Sequence, residues 1–515
     1  MLVGAAWCVR ALRPDLQSCC VSLRCGATTT KETPRGSSGD GHVVPTTAKS
    51  KVNKKKSKKK GPFRKRKRKL RILILMSDTG GGHRASAKAI AEALEKEFPK
   101  EFETEIYDIW TDVGRWPLNR FVQSYTYLGR RPMLWRGLWY LTASWPARGP
   151  IRTWHDAQHR WRFRKVFEDR DPDVVVSVHP LCQHVPLSAL GGMVEEEVEE
   201  GGNKRALAVV KKKKKKIPFA TVVTDLGSAH PMWFDSRADV VFVPNERVAR
   251  LARFHGVRRS SVVEHGLPLR SDFEADPDKP GTGALFQRRQ KQQWLRDLFP
   301  GSPSARLKRR QRLESLQDRR RSKSDPPRVL VVGGGDGVGG MKRIVLAAAA
   351  ALRERQKPCV LTVVCGRNLL LKSQLEEALV GLRSPHVKVE VLGFVDDMHR
   401  KMADADVLLT KAGPGTISEA AALGLPVILT NFLPGQERGN CAFVTDNGFG
   451  ALAKRPHKAA RVLVDWLDHP DKLAAMSDKA FEAAKPGSTT LIARDIAQLA
   501  KQGHLVHEKK QNHHH

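Results

Sequence analysis

Residues Leu70 to Ile90 read LRILILMSDTGGGHRASAKAI, and this stretch decides how the chain is expected to fold. The apolar run that ends at Met76 predicts a buried strand, and the glycines before His83 predict a tight turn. The alanine-rich pattern after the turn predicts a helix. A strand, a glycine turn and a helix N-terminus therefore follow one another, and backbone N–H groups at such a turn can approach a polar or anionic ligand closely.

The kind of ligand at this turn is left open by these residues alone. Gly80, Gly82 and Ala85 match the dinucleotide fingerprint G-x-G-x-x-A, which favours a nicotinamide or flavin cofactor. His83 adds a side chain that titrates near neutral pH at the mouth of the turn, which favours a reactive centre. The rest of the chain has to decide between the two.

Short β-branched runs recur along the chain and are separated by helical patterns. Their hydrophobicity is continuous rather than alternating, which predicts strands buried on both faces, as in a parallel sheet. They form two series, one on each side of a stretch rich in Arg, Gln, Pro and Ser. The first series is 72–76, 104–109, 174–178, 221–224 and 240–243, and the second is 329–332, 361–365, 387–392, 407–410 and 427–430.

The sequence therefore predicts an α/β protein with two Rossmann-like, doubly wound domains that face each other across a cleft. The carboxyl ends of both sheets would line that cleft. The predicted boundaries are a transit-like tail at 1–48, a polybasic segment at 49–69 and an N-terminal Rossmann-like domain at 70–273 with an insertion at 191–216. An Arg-rich linker at 274–327, a C-terminal Rossmann-like domain at 328–485, and a C-terminal helix and tail at 486–515 follow.

The charge of the chain is strongly basic and unevenly placed. Its 515 residues carry 90 Lys and Arg against 54 Asp and Glu, a formal net charge of +36, and much of the excess lies in runs at 51–71, 211–216 and 288–328. Such runs are usually solvated and bind polyanions, so nucleic acid and an anionic membrane surface are both candidate partners. No RRM, KH or zinc-finger signature is present, so a nucleic-acid-binding protein is kept only as the alternative from a different class.

The cysteines and the N-terminal tail indicate the compartment. Four of eight cysteines lie in the first 25 residues and none has C-x-x-C spacing, which indicates a reducing compartment without a disulfide framework or a zinc site. The tail at 1–48 is rich in Ser, Thr, Ala and Arg and poor in acids, as organellar transit peptides are. No stretch approaches 18 consecutive apolar residues, so no membrane-spanning helix is predicted.

A second glycine loop occupies residues 333–340 and follows the apolar run at 329–332. Glycines at this density remove side chains from a loop, so that its amides can cradle phosphate oxygens. The G-K-[ST] ending of a Walker loop is absent, and no acid ends a strand about 20 residues on, which disfavours a dinucleotide site.

Two polar loops follow later predicted strands. In the stretch TKAGPGTISEA at 410–420, Thr416 or Ser418 is predicted to start a helix that carries Glu419 in its first turn, where it could complement the helix dipole or bind a ribose or sugar hydroxyl. In the stretch LPGQERGN at 433–440, Gln436, Glu437 and Asn440 offer the donors and acceptors that a polyhydroxylated ligand requires.

Tryptophan and arginine are interleaved between residues 110 and 161. Tryptophan favours the headgroup boundary of a bilayer and arginine pairs with lipid phosphates, so the segment predicts peripheral, monotopic contact with anionic membrane lipids. Single tryptophans are more often core residues, and the prediction rests on their density. The seven are Trp110, Trp116, Trp135, Trp139, Trp145, Trp154 and Trp161.

Taken together, these motifs resemble the monogalactosyldiacylglycerol synthase family of plant and algal plastids, in glycosyltransferase family 28. The resemblance rests on GGGH at 80–83, VTDL and HPMWF between 223 and 234, the glycine loop at 333, TKAGPGTISEA at 410–420 and PGQE at 434–437. It implies the two-Rossmann architecture called GT-B and inverting transfer of galactose from UDP-galactose to the sn-3 hydroxyl of diacylglycerol, at the plastid envelope. A diacylglycerol glucosyltransferase and a lipid-linked N-acetylglucosaminyltransferase of the same family remain alternatives.

The resemblance also implies roles for individual residues. Gly81 and Gly82 would face the phosphate and sugar of the donor across the cleft. The C-terminal half would bind UDP, with the diphosphate at the second glycine loop and the ribose at Glu419. The backbone around Phe394 and Val395 would contact the uracil, and the PGQE loop would contact the galactose. The implied donor-binding residues are Gly334, Gly335, Phe394, Val395, Lys411, Gly413, Gly415, Thr416, Glu419, Gln436 and Glu437.

For the mechanism, His83 is the predicted base, because its ordinary pKa suits proton abstraction near neutral pH. A histidine that only hydrogen-bonds its loop is the alternative. Asp225 is the second candidate base, or a partner that orients His83. No cofactor or metal is expected if backbone amides and helix dipoles neutralise the leaving diphosphate. The sequence leaves open an anionic lipid activator and a homodimer.

Overall fold

The computed structural model describes residues 68–78, 81–112, 114, 118–129, 131–193, 217–273, 326–333, 340–485 and 487–511. The predicted tail at 1–48, nearly all of the polybasic segment, most of the 191–216 insertion, nearly all of the 274–327 linker, and Gly334 and Gly335 lie outside these residues. Residues from Lys69 onward form one compact unit.

The N-terminal half is built on a six-stranded sheet in which every pairing is parallel. The spatial order is β2-β1-β3-β4-β5-β6. The central strands are apolar on both faces because helices cover both sides, as the sequence pattern predicts, whereas the edge strand at 102–108 alternates and exposes Glu103 and Glu105. They are β1 (Leu70–Met76), β2 (Phe102–Asp108), β3 (Val174–Ser177), β4 (Phe219–Val222), β5 (Val240–Val243) and β6 (Val262–Glu264).

Seven α-helices belong to the described part of this half. The longest, with 26 residues, begins at Trp145 with a proline in its first turn, where the missing N–H costs nothing. The helices are α1 (Gly82–Glu97), α2 (Ile109–Asp112), α3 (Phe121–Gly129), α4 (Pro132–Ala143), α5 (Trp145–Arg170), α6 (His184–Gly191) and α7 (Glu246–Phe254).

The C-terminal half contains a second parallel sheet of six strands, in the order β12-β11-β10-β7-β8-β9. Counted from β7, this is the 3-2-1-4-5-6 order of the Rossmann fold, whose switch point lies between β7 and β10. The strands are β7 (Arg328–Val332), β8 (Cys359–Val364), β9 (Val387–Leu392), β10 (Val407–Lys411), β11 (Val427–Asn431) and β12 (Gly450–Leu452).

Helices alternate with these strands, and one of them returns to the other half. The helices are α8 (Met341–Glu354), α9 (Leu369–Leu379), α10 (Met398–Asp404), α11 (Pro414–Ala422), α12 (Arg438–Asp446), α13 (Pro456–Asp468), α14 (Pro470–Ala483) and α15 (Ser488–Gln511). Ile492 and Ile496 of α15 pack into the same buried cluster as Ile74 of β1 and Ile90 of α1. The last helix therefore covers one face of the N-terminal sheet and ties the two halves together.

The predicted fold class, two Rossmann-like α/β sheets, is confirmed. Each of the ten predicted strands overlaps an observed one, although β4 begins at Phe219 and ends two residues before the predicted boundary at 224. The edge strands β6 and β12 were not predicted. Each has only three residues and is partly exposed, so neither produces a continuous apolar run.

Candidate active site

His83 occupies the second position of α1, directly after the glycine turn. Gly81 caps this helix with φ 75°, a left-handed conformation that glycine adopts without strain. The Nδ1 atom of His83 lies 2.8 Å from the carbonyl oxygen of Val178. Because a carbonyl oxygen can only accept, Nδ1 carries the proton and Nε2 keeps a free lone pair. The hydroxyl of Thr224 lies 3.1 Å from the same Nδ1. The backbone thus holds His83 in the tautomer that a base requires.

The surroundings of His83 keep its ring neutral. His83 is half-buried, and desolvation lowers its pKa to about 4, while Val178 and Asp78 act in the opposite direction. The ring of His179 packs edge-on against it at 4.5 Å between centroids. The expectation of an ordinary histidine pKa is therefore wrong for this state of the protein, because the imidazole is desolvated.

Asp225 follows β4 and is buried, with 4% of its surface exposed. Its Oδ2 accepts a hydrogen bond of 2.8 Å from the indole nitrogen of Trp233, which is also buried. Burial raises the pKa of Asp225 to about 7, the bond from Trp233 opposes this shift, and nearby Glu437 adds to it. The hydrogen-bond partners of His83 are the carbonyl oxygen of Val178 and the hydroxyl of Thr224, and Asp225 makes no direct orienting contact with His83.

His83 and Asp225 line the same cavity, whose volume is about 190 Å³. Most of the wall is apolar and aromatic and comes from α3, α4 and α5. Gln436 reaches the wall from the C-terminal half, where its Oε1 accepts a hydrogen bond of 3.3 Å from the hydroxyl of Tyr125. The apolar wall includes Leu128, Trp135, Leu138, Trp139, Ile151 and Met232. The cavity fits an apolar ligand that places one polar group beside His83 and Asp225.

The two halves meet beside this cavity through backbone. A Cβ placed on Gly227 would lie 2.2 Å from the carbonyl oxygen of Gly439, so both positions need glycine. Ser228 donates a hydrogen bond of 2.6 Å to the carbonyl of Gln436. Asn440 is fully buried, accepts from Leu226 N and donates to the carbonyl of Ala412. The prediction that Asn440 serves a polyhydroxylated ligand is therefore wrong, because Oδ1 is engaged by Leu226 of the N-terminal half and Nδ2 by Ala412 of its own half.

The loop after β10 begins α11 earlier than predicted. The helix starts at Pro414, so Gly413 caps it and Gly415 and Thr416 lie in its first turn. Glu419 falls in the second turn, which corrects its predicted place in the first. Its Oε1 lies 2.8 Å from Nη2 and 2.9 Å from Nε of Arg270. Burial raises the pKa of Glu419, and the Arg270 cation opposes this shift.

Arg270 was missed at the sequence level. It follows the short edge strand β6, which the apolar pattern did not reveal, so nothing in its neighbourhood indicated a loop at the carboxyl edge of a sheet. The stretch HGLPLRSDF at 265–273 offered no other signal.

Lys411 and Glu437 form an ion pair at the carboxyl edge of the C-terminal sheet. The Lys411 ammonium lies 2.6 Å from Oε1 of Glu437, and Oε2 accepts a hydrogen bond of 2.8 Å from Leu433 N. Both oxygens of Glu437 are thus engaged within the protein. Glu437 is buried and stands just before α12, whereas its neighbour Gln436 faces the cavity.

The remaining predicted donor residues flank two other strand ends. Phe394 follows β9, is 58% exposed, and has the Arg367 guanidinium 5.6 Å from its ring centroid. Val395 is half-buried against the core of the C-terminal half. The glycine loop begins after β7, and Gly340 caps α8 with φ 71°. Lys411 and Gly333 line a small cleft between these elements.

An exposed apolar surface lies on α4, which also contributes to the cavity wall. Met133, Leu134 and Leu141 are 76%, 52% and 59% exposed, and Trp145 at the start of α5 is 81% exposed. The predicted tryptophan-rich surface needs correction, since Trp110 and Trp135 are buried core residues and Trp116 lies outside the described residues. Among the described helices, none is long and apolar enough to cross a membrane.

The fold is that of the GT-B glycosyltransferases. A crystal structure of MurG from Acinetobacter baumannii superposes with a TM-score of 0.51 at 14% identity, over 83% of this chain and 99% of that one. The model of the glycosyltransferase family 28 C-terminal domain matches residues 328–492.

The sequence comparisons define the family. The monogalactosyldiacylglycerol synthase model matches residues 83–194 and 203–269. The probable monogalactosyldiacylglycerol synthase 2, chloroplastic, of Oryza sativa subsp. japonica is 33% identical over 85% of this chain and 82% of its own length. Monogalactosyldiacylglycerol synthase 1, chloroplastic, of Arabidopsis thaliana is 33% identical over 84% and 71%. The chain belongs to the monogalactosyldiacylglycerol synthase family, so the dinucleotide interpretation of the first glycine turn is set aside.

Proposed function

We propose that the chain transfers galactose from UDP-galactose to the sn-3 hydroxyl of 1,2-diacylglycerol and thereby makes monogalactosyldiacylglycerol. One structural observation carries this proposal beyond family membership. An apolar cavity, continuous with the exposed apolar helix α4, has His83, Asp225 and Gln436 in its wall. Diacylglycerol has the matching chemistry, because it is apolar apart from its esters and a single hydroxyl.

The acceptor hydroxyl is activated by His83 in the proposed mechanism. Its free Nε2 takes the proton of the hydroxyl while the oxygen attacks the anomeric carbon of the sugar and the bond to the diphosphate breaks. Attack from the side opposite the leaving UDP inverts the anomeric centre. Asp225 lies in the same wall and is retained as the second candidate base, since its carboxyl is partly ionised near neutral pH.

The departing diphosphate is neutralised by the C-terminal half. The N-termini of α8 and α11 lie at the carboxyl edge of the sheet, where their free amides and dipoles favour an anion. Lys411 adds a cation at the same edge. These groups can stabilise the leaving group without a metal or cofactor, and we therefore propose metal-independent transfer.

UDP-galactose is proposed to lie across this edge in the arrangement that the family resemblance implies. The glycine loop with Gly334 and Gly335, together with Gly413, Gly415 and Thr416, takes the diphosphate. Glu419 takes the ribose, and the backbone at Phe394 and Val395 takes the uracil. Gln436 and Glu437 take the galactose, and Gly81 and Gly82 approach the donor from the other side.

We further propose a peripheral association with an anionic membrane through α4 and the basic segments, without a spanning helix. The relatives carry the word chloroplastic in their names, and together with the transit-like tail this supports the plastid envelope as the location. An anionic lipid activator and a homodimer are extensions of this proposal that lipid titration and sedimentation would test.

The decisive experiment is product identification. Diacylglycerol vesicles are incubated with the protein and with radiolabelled UDP-galactose or UDP-glucose, and the labelled lipid is separated and identified. The proposal predicts a galactolipid from the first donor and little product from the second. Glucolipid as the main product would support the glucosyltransferase alternative. Absence of any lipid product, combined with tight binding to nucleic acid, would support the polyanion-binding alternative.

A further inference from the structure

Glu419 has one oxygen engaged and one left open. Two nitrogens of Arg270 converge on Oε1, at 2.8 and 2.9 Å, while no described residue donates a hydrogen bond to Oε2. Only 9% of Glu419 is exposed, so its carboxylate has little freedom to rotate. The geometry leaves Oε2 as a fixed acceptor without a protein donor among the described residues.

Arg270 comes from a segment that is held rigidly. The hydroxyl of Thr489, at the start of α15, accepts from Leu269 N over 2.8 Å and donates to the Leu269 carbonyl over 2.9 Å. Leu269 and Phe273 pack in the same buried cluster as Ala420 of α11. The guanidinium of Arg270 lies 4.9 Å from the ring centroid of Phe273. Backbone, core and ring contacts therefore fix the position from which Arg270 reaches Glu419.

We propose that Arg270 is a positioning residue of the donor site, which holds Oε1 of Glu419 so that Oε2 accepts hydrogen bonds from the ribose hydroxyls of the nucleotide. This inference rests on the proposed function, because it assumes that Glu419 receives the ribose. It assigns the segment that follows β6, in the N-terminal half of the chain, to the binding of a donor by the C-terminal half.

The charge of Arg270 supports the same role. Burial disfavours the ionised form of Glu419, and Arg270 is the cation that counters it. Without this cation the carboxyl protonates more readily and one oxygen becomes a donor. A carboxylate accepts from both ribose hydroxyls, whereas a protonated carboxyl competes with them.

The test compares Arg270→Gln and Arg270→Lys with the unmodified full-length protein. Binding of UDP, 2′-deoxy-UDP and 3′-deoxy-UDP is measured by calorimetry at several pH values from 6 to 8. The values of kcat and of KM for UDP-galactose are determined separately for each protein. Loss of an ionic hydrogen bond is expected to weaken UDP binding by about tenfold in Arg270→Gln. KM should rise while kcat changes little, the preference for UDP over the deoxy analogues should shrink, and UDP binding should improve as the pH rises.

Arg270→Lys keeps the positive charge but loses the planar fork of donors. It should bind UDP with an affinity between those of the unmodified protein and Arg270→Gln, without the added pH dependence. Arg247→Gln is the matched control. Arg247 also reaches from the N-terminal half to an acid of the C-terminal half, Asp446 at 3.7 Å, but both side chains are well exposed. This control should leave UDP binding unchanged.

Two outcomes would be decisive against the inference, and they are distinguishable. If folded Arg270→Gln or Arg270→Lys binds UDP as tightly as the unmodified protein, with the same preference over deoxy analogues, Arg270 does not position Glu419 and the proposed function stands. If the unmodified protein itself fails to bind UDP, the proposed function fails and the inference falls with it.

Discussion

At the scale of single residues, the reacting centre is defined by two side chains whose pKa values move in opposite directions. Burial lowers the pKa of His83 to about 4 and raises that of Asp225 to about 7. Near neutral pH His83 is therefore neutral, with Nδ1 committed to Val178, and Nε2 is free to accept a proton. A negative diphosphate bound nearby would favour the imidazolium that forms.

The pH dependence of the reaction distinguishes the two candidate bases. If His83 is the base, kcat/KM should remain high as the pH falls from 8 to 6, because His83 protonates only near its low pKa. Asp225→Asn, which imitates the protonated carboxyl, should then retain most of the activity at pH 6. The rate is measured from pH 5 to 9. An acid limb near pH 7 that disappears in Asp225→Asn would instead assign proton abstraction to Asp225.

Asp225 should also leave a signature in the pH dependence of stability. Its folded pKa lies above its unfolded value, so its contribution is most favourable below the unfolded pKa and is lost as pH rises through about 7. Relative to the unmodified protein, Asp225→Asn should gain in Tm between pH 5 and 8. Parallel Tm curves for the two proteins would contradict the burial of an ionisable Asp225.

The sequence predicted which residues lie at the reacting centre, but it did not predict the environment that sets their pKa values. His83 was found because a glycine turn between a strand and a helix marks a binding loop. Its pKa is lowered by burial, and the rings packed against it, His179 and Trp233, are distant in sequence, so no local pattern contains that information. Arg270 was missed for the same reason, since its partner Glu419 lies 149 residues away.

At the scale of secondary structure, α4 borders both the cavity and solvent. Leu138 and Trp139 line the cavity, while Met133 and Leu141 face solvent. A helix that borders an apolar cavity and exposes apolar side chains offers an acceptor lipid a short route from a bilayer. The segment was expected to contact the membrane through tryptophan, but aliphatic residues supply most of this surface, because density of tryptophan does not reveal which way each ring points.

Charge on the outer face of α4 should weaken membrane binding without unfolding the protein. In the double variant Met133→Asp and Leu141→Asp, vesicle flotation should fall by at least about tenfold, because two apolar side chains no longer enter the bilayer boundary. Tm should be nearly unchanged, since both residues are exposed in the free protein. The matched control is Leu369→Asp with Leu370→Asp on α9, which are 69% and 70% exposed. Equal loss of flotation in both double variants would contradict a specific role for α4.

At the scale of the whole molecule, the two sheets are joined by a close backbone contact and by the return of α15. The continuous apolar runs were sufficient to predict both sheets, because a strand buried on two faces leaves a strong local pattern. The packing of α15 on the N-terminal sheet could not be predicted, since the amphipathicity of a helix does not specify which sheet it covers. The contact between Gly227 and Gly439 is likewise a tertiary feature.

The close contact between the halves gives a prediction for glycine substitution. Gly227→Ala places a Cβ 2.2 Å from the Gly439 carbonyl oxygen, so the halves must separate. Tm should fall, with a cost of about 2 kcal/mol or more for a forced backbone shift. Gly137→Ala in α4 is the control, because a Cβ there meets nothing within 4 Å and alanine is the better helix former. A Gly227→Ala protein as stable as this control would show that the halves do not meet in this way.

The measurement that tests the central claim most directly is galactose transfer by His83→Ala. Its UDP affinity should match that of the unmodified protein, because UDP is proposed to bind the C-terminal half. Its rate of transfer from UDP-galactose to diacylglycerol should fall by at least about a hundredfold, since a positioned base is lost. Near-normal turnover in His83→Ala, with UDP binding intact, would contradict the account of how this family member activates its acceptor.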